Sequence, residues 1–326
     1  MPSARKPIVV VGSINIDLVA GTEKIPVQGE TVLGHSFQIH PGGKGANQAV
    51  AVGRLGYPVR MIGRLGDDAF GAQLRSHMED AGVEMSGVGT SEASSSGVAL
   101  IVVARSGENS IVIAPGANAF VTPEYVESHL DILRSAGIVL AQLEIPLETV
   151  ECLANLCAKE KVPLILDPAP ARELPPSLLR STAWFTPNET EAAFFLGGAQ
   201  SEPEKTSPAE TARLLRARGA QGVVLKLGAR GAYLESVDGR QEFIESFKAD
   251  AIDTTAAGDA FNGAFAAGLM LGMTPSHAAR FAAAAASISV KRVGAQPSMP
   301  AMHEVEEVLA QAQPLVAAMA VQPSPR

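Results

Sequence analysis

Between residues 137 and 166 two short apolar runs, Gly137–Leu143 and Val162–Leu166, flank a helical stretch, Pro146–Glu160. A connection that long suits strands that run parallel, because an antiparallel pair needs only a tight turn. Ile8–Val11 and Gly222–Leu227 read as further strands. Ala257–Leu271 reads as a helix in which Phe261, Phe265 and Leu269 recur every four residues and face the core. Strands alternating with helices predict a doubly wound α/β body.

Two regions break that rhythm. Ile14, Ile16 and Leu18 alternate with Asn15 and Asp17, and Leu33, Phe37 and Ile39 fall on odd positions of a second short stretch. Gly97–Ala104 and Asn109–Ile113 predict a hairpin turning at Ser106-Gly107. Short antiparallel strands of this kind have no place in a parallel core, so a small accessory sheet is expected, as a lid or a subunit interface. Residues 199–208 read as a polar connection and 311–326 as a frayed tail.

Lys and Arg number 26 against 34 Asp and Glu, a formal charge of −8. That balance argues against broad contact with nucleic acid or an anionic membrane, but leaves room for one compact anion held by backbone amides. A hydrophobic content of 46% predicts a globular chain. Two cysteines, Cys152 and Cys157, exclude a disulfide scaffold. Five apart on one helix they would point to different faces, and both are expected to be buried free thiols. The run at Ile8–Val11 is too short for a signal peptide. The Ala-rich stretch Phe281–Val290, bracketed by Arg280, Lys291 and Arg292, is too short to span a membrane. A soluble, cytoplasmic protein is the expectation.

Pro41-Gly42-Gly43-Lys44-Gly45-Ala46-Asn47 carries three glycines that permit close backbone approach, with Lys44 and Asn47 on one face if a helix begins there. It matches neither a Walker A loop, since Gly45 follows Lys44, nor a dinucleotide fingerprint. It reads as a tight turn or as a ligand loop. Asp253-Thr254-Thr255-Ala256-Ala257-Gly258-Asp259 leads small residues into the apolar helix. Free amides at a helix N-terminus favour a negative group. Asp259 there either caps the helix or takes a proton from an attacking hydroxyl while the amides bear a migrating phosphoryl group.

Asn15 and Asp17 share one side of the early strand, as a pair suited to hydroxyls or as a solvent-facing edge. Glu144 and Asp167 each follow a parallel strand, at the carboxyl ends where open α/β sheets gather ligands. A glycosidase carboxylate pair is the poorer reading of them, since nothing fixes their separation. Asn188 and Glu191 are spaced as in a capping box. Lys226-Leu227-Gly228-Ala229-Arg230-Gly231 ends a strand in a glycine turn, a hairpin loop at its simplest. The six histidines form no HExxH or close pair, which disfavours a histidine metal site, and no GxGxxG follows the first strand, which disfavours a dinucleotide-dependent dehydrogenase.

Taken in order, Gly12-Ser13-Ile14-Asn15-Ile16-Asp17, the Gly42–Ala49 segment, Asn188-Glu189-Thr190-Glu191 and the Asp253–Asp259 segment resemble the ribokinase-like, PfkB-type carbohydrate kinases. The likeness runs from about residue 8 to about residue 310, with further detail at Asp167–Pro175 and Gly294–Ser298. It implies an αβα sandwich with a mainly parallel central sheet and a small β-sheet lid. The whole chain, 1–326, would then be a single domain with lid strands inserted at about 14–20, 31–39 and 97–113, and flexible tails at 1–6 and 311–326. A homodimer joined through the lids is implied, with no nucleic-acid or membrane partner.

The activity implied is transfer of the ATP γ-phosphate to the 5-hydroxyl of D-ribose. By the family pattern Asn15, Asp17, Gly43, Lys44, Asn47 and Glu144 would hold the sugar, and Asp259 would be the catalytic base. Ala256, Ala257 and Gly258 would form the anion hole. Asn188, Lys226, Leu227, Gly228, Ala229, Arg230 and Gly231, with Gly258 and Asp259, would hold ATP. Glu191 would position Mg2+ through water, and Asp253, Thr255, Ser289, Arg292, Gly294 and Ser298 would surround a monovalent cation, K+ in the family. Ala256 replaces the first glycine of the family's frequent Gly-Ala-Gly-Asp, and Ala283 stands where some members place Asn or His near adenine. Kinases of 2-deoxyribose and of nucleosides share most of these motifs. Asn15 favours ribose, because an amide left unpaired against the deoxy sugar costs affinity. A non-catalytic sugar-binding regulator is disfavoured by Asp259 together with its complete anion-hole segment.

Overall fold

The computed structural model describes residues 5–197 and 206–319, with side chains described as far as residue 312. Its strands are β1 (Ile8–Val11), β2 (Asn15–Thr22), β3 (Gly34–Gly42), β4 (Val59–Gly66), β5 (Val83–Ser91), β6 (Gly97–Ala104), β7 (Asn109–Ala114), β8 (Ile138–Ala141), β9 (Leu164–Leu166), β10 (Trp184–Phe185), β11 (Gly222–Lys226), β12 (Ala232–Glu235) and β13 (Gln241–Ile244).

Nine of them form the main sheet, in the order β13-β12-β11-β10-β9-β8-β1-β4-β5 among the described residues. From β11 across to β5 every pairing is parallel, and β12 and β13 close the far edge antiparallel. The chain leaves β1 toward β4 and β5 on one side and fills β8 to β11 on the other. The carboxyl ends of β1 and β8 therefore flank the topological switch point, where such sheets open a crevice.

Helices cover both faces because β1 alternates strictly. Ile8 and Val10 enter the core shared with the Lys44–Arg54, Ala257–Met270 and Pro275–Ser289 helices. Val9 and Val11 enter the core shared with the Leu147–Glu160 helix. All four are fully buried, as a doubly covered parallel strand requires. Phe265, completely buried and edge-on to Trp184 at 5.3 Å, anchors the first core. Truncating such an aromatic costs about 3–5 kcal/mol.

The remaining strands make a second sheet, in the order β3-β2-β6-β7. β3 lies antiparallel to β2, and β7 antiparallel to β6 with Gly107 at φ 89° in the turn. β2 and β6, however, run parallel, pairing Asn15 with Gly97. This corrects the all-antiparallel expectation. The chain passes through β4 and β5 of the main sheet before it reaches β6, and so arrives by a crossover.

Cys157 is buried, its thiol pushed up to about 12 by desolvation, whereas Cys152 is only half-buried, with Sγ 3.8 Å from Glu127 Oε1. The expectation of two buried thiols holds for one. The expected tail at 1–6 and polar connection at 199–208 lie largely outside the described residues. A helix, Met302–Met319, occupies the first part of the expected C-terminal tail.

Candidate active site

The chain turns at Gly12-Ser13 on leaving β1, and Ser13 Oγ donates to Glu144 Oε2 at 2.6 Å. The same carboxylate oxygen accepts from the Lys44 amide at 3.2 Å, so Glu144, just past β8, ties the turn to the start of the Lys44–Arg54 helix. This junction explains the glycines of the loop. Gly43 has φ 87°, and a Cβ there would stand 2.7 Å from the Asn15 amide nitrogen. A Cβ on Gly45 would stand 2.7 Å from the Ser13 nitrogen. Both contacts are below any real Cβ separation, so two backbones can meet here only as glycine. Ser13 was read as part of a motif and not as a site residue. Its partner lies 131 positions away, so nothing local marks it.

Asp259 sits in the first turn of the Ala257–Met270 helix, 5% exposed. Its two carboxylate oxygens accept from Asn47 Nδ2 at 2.9 Å and from Gln48 Nε2 at 3.0 Å. Gln48 Nε2 also donates to Asp167 Oδ2 at 2.9 Å, while Gln48 Oε1 accepts from Gln142 Nε2 at 2.7 Å. Asp167 Oδ1 in turn accepts from Lys226 Nζ at 2.9 Å. Burial, aided by Asp167, pushes the Asp259 carboxyl up to about 6, against the pull of Lys44 and the two amides. Burial likewise pushes Asp17 up to about 7, helped by Glu144 and Asp259. Lys44, although desolvated, is held above the usual lysine range by Asp259, Asp167, Glu144 and Glu191. Asp167, read at a strand's carboxyl end, thus joins a buried network with Gln48 and Gln142, two residues the sequence did not single out.

Ala256 precedes this helix in the left-handed conformation, φ 58°, with no side chain capping the first amides. The Ala257 amide donates to the Thr254 carbonyl at 3.2 Å, and Ala257 and Gly258 line a cleft of about 560 Å³ with Asn188, Lys226, Gly228, Ala229, Gly231, Thr254 and Ala283 among others. Lys226 Nζ lies 3.3 Å from where a Gly258 Cβ would stand, so an ammonium faces the helix terminus. The far wall, Ser246–Ala249 with Ala251, was not read from the sequence. It is a polar-apolar mixture with no motif, and Phe247 within it carries the Arg280 guanidinium over its ring at 5.2 Å. The 228–230 turn links β11 to β12 as a hairpin. Leu227 is buried in the core and Arg230 pairs with Glu189, so neither side chain lines the cleft.

Asn188 caps the Glu189–Leu196 helix through a full capping box. Its side chain accepts from the Glu191 amide, and both Glu191 oxygens accept from Asn188, at 2.8 and 2.9 Å. Burial raises Glu191, with Asp167 adding to the effect while Lys226 opposes it. Asp253, next to the cleft-lining Thr254, accepts from the amides of Thr255 at 2.9 Å and Gly294 at 2.8 Å. Burial would raise this carboxyl, but those bonds hold it below the usual range. The hydroxyls of Ser289 and Ser298 donate to Ala286 and Ala295 carbonyls, and Arg292 pairs with Glu304. The six residues expected around a cation thus present one carboxylate with hydroxyl and carbonyl oxygens. No group of three His, Cys, Asp or Glu suited to a metal occurs among the described residues.

Residues 5–302 match the profile of the pfkB family carbohydrate kinases. The chain is 43% identical over 303 residues to a ribokinase of Bacillus subtilis, covering 93% of this chain and 99% of that one. A deoxyribokinase of Salmonella typhi is 35% identical over 303 residues, covering 93% and 98%. Among solved structures, Arabidopsis thaliana ribokinase complexed with ribose and ATP superposes with a TM-score of 0.87 at 37% identity, covering 94% of this chain and 99% of that one.

Proposed function

The chain belongs to the pfkB family of carbohydrate kinases, and from that premise we propose that it transfers the γ-phosphate of ATP to the 5-hydroxyl of D-ribose, releasing D-ribose 5-phosphate and ADP. The observation that carries this reading is the placement of Asp259. Its carboxylate accepts from Asn47, one of the residues Asn15, Asp17, Gly43, Lys44, Asn47 and Glu144 assigned to the sugar, while Ala257 and Gly258 just before it line the cleft. Asp259 takes the hydroxyl proton late, as the bond to phosphorus forms, and a carboxylate lifted to about 6 is a fit acceptor. The amides of Ala256, Ala257 and Gly258 bear the charge on the moving phosphoryl group. Asn188, Lys226, the Gly228–Gly231 backbone, Gly258 and the Leu227 and Arg230 main chain are assigned to ATP.

Mg2+, when bound with ATP, neutralises charge on the phosphates. Glu191 fits a role toward it through water, since both carboxylate oxygens are already engaged by Asn188. The Asp253, Thr255, Ser289, Arg292, Gly294 and Ser298 oxygens suit a monovalent cation such as K+, with a single carboxylate and no second acid. Such an ion would order the loop that carries the anion-hole amides. We place the reaction in the cytoplasm, which supplies the ATP; no helix among the described residues is long and apolar enough to cross a membrane.

The second sheet serves as a lid, and we infer that two lids join a homodimer. Ile39, Leu18, Leu100 and Val112 form one cross-strand row, in which Leu18 is half-buried against the core while Ile39, Leu100 at 50% and Val112 at 61% are exposed. Apolar side chains aligned across a sheet and open to solvent mark an interface.

A 2-deoxyribose kinase is the reading that the Salmonella relative keeps in play. Against it stands Asn15, buried at 2% exposure, whose Nδ2 donor would be unpaired beside the deoxy carbon. The test is ADP release with ATP, Mg2+ and D-ribose, in K+ and in Na+ as the only monovalent cation. Ribose-dependent turnover enhanced by K+ is expected; no ribose-dependent turnover in either salt would move the assignment to another sugar.

A further inference from the structure

We propose that Asn118, as a positioning residue, sets the sugar preference of this site by fixing the amide of Asn15; the proposal rests on the ribose reading above. Asn118 follows the lid strand β7 in the short turn Gly116–Phe120 and is 1% exposed. Its Oδ1 accepts from the Ile14 amide at 2.9 Å. Its Nδ2 donates to the Ile14 carbonyl at 3.1 Å and to Asn15 Oδ1 at 2.7 Å. The backbone partners leave no freedom: only Oδ1 can take the Ile14 N–H, so Nδ2 must face Asn15. A donor can bond only the oxygen of the Asn15 amide. The Asn15 Nδ2 hydrogens are thereby turned away from Asn118, and they have no partner among the described residues. The site thus presents a fixed donor, to be matched by a sugar oxygen.

Gly97 gives a second, independent observation. It opens β6 opposite Asn15, and a Cβ built on it would stand 2.2 Å from both Asn118 Nδ2 and Asn15 Oδ1. The bond between the two amides exists because this position carries no side chain. A methyl group at residue 97 would part them while leaving both amides in the chain. Ribose, which has a hydroxyl oxygen where 2-deoxyribose has none, gains from the fixed donor, and the deoxy sugar does not.

The experiment measures kcat/KM for D-ribose and 2-deoxy-D-ribose in the wild type, Asn118→Leu, Gly97→Ala, Asn15→Met and the Asn15→Met/Asn118→Leu pair. For Asn118→Leu and Gly97→Ala, the ribose value is expected to fall about tenfold through KM, a typical hydrogen-bond loss. The deoxyribose value should stay within about twofold, which also reports that the variants fold. Adding Asn118→Leu to Asn15→Met should change the ratio no further, since coupled residues are not additive. Equal losses for both sugars would overturn the assignment by showing a purely structural role. So would wild-type discrimination that survives both variants. A wild type that prefers deoxyribose, or uses neither sugar, would overturn the ribose reading itself and the assignment with it.

Discussion

Asp259 is the residue to which the proposed reaction assigns the role of base, and its surroundings make definite demands on it. Asp259 is buried and held by hydrogen bonds from two side-chain amides. Asp259→Asn should therefore bind ribose and ATP nearly as the wild type does, while kcat falls by about 10²–10⁴-fold. Isothermal titration paired with steady-state kinetics checks this, and near-normal turnover would remove Asp259 from the role of base. Because the working form is the carboxylate and the group is lifted to about 6, kcat should decline as pH falls through about 6. An acid limb near the ordinary aspartate value of roughly 3.9 would show that burial does not act on it as described. Asp259 was legible because its motif is contiguous and opens a helix. Gln48 was not, for it earns its place only by meeting Asp167, 119 positions away, and Asp259, 211 positions away.

At the level of elements, the site depends on how closely two helices approach. Gly263 in the Ala257–Met270 helix lies against the Lys44–Arg54 helix, where a Cβ would meet Ala51 Cβ at 2.7 Å and the Gln48 carbonyl at 2.9 Å. This contact keeps Asn47 and Gln48 within reach of Asp259. Gly263→Leu should force the helices apart, cost about 1–3 kcal/mol of stability and lower kcat as the two amides leave the carboxylate. Thermal unfolding and turnover measured together check this; an unchanged kcat in a folded variant would sever the link between helix spacing and the base. The Leu147–Glu160 and Ala257–Met270 helices and the strands β1, β8, β9 and β11 could be read because their patterning is intrinsic to the chain, whereas β4, β5 and β10 were not read. The parallel pairing of β2 with β6 could not, since each strand alternates alike whichever way its neighbour runs, and the route through β4 and β5 decides it. The Ser246–Ala251 wall was hidden for a related reason: it is shaped by what it faces across the cleft, and no local pattern records that.

Across the whole molecule, a doubly wound sheet supplies a crevice at its switch point, and Asn118, in the turn that follows the second sheet's last strand, bonds to Ile14 and to Asn15, which is proposed to hold the sugar. In the proposed reading, the exposed apolar side chains of that second sheet join two copies of the chain. Val112→Glu, placing a charge in the row of Ile39, Leu18 and Leu100, should shift the protein from dimer to monomer in sedimentation velocity, and a dimer that persists would place the interface elsewhere. The central claim remains that phosphate passes from ATP to one particular hydroxyl. The most direct measurement is phosphorus and carbon NMR of the product formed from ATP and uniformly carbon-13-labelled D-ribose. A phosphomonoester coupled to carbon 5 is the predicted result; phosphate on any other carbon, or ATP loss without a sugar phosphate, would contradict it.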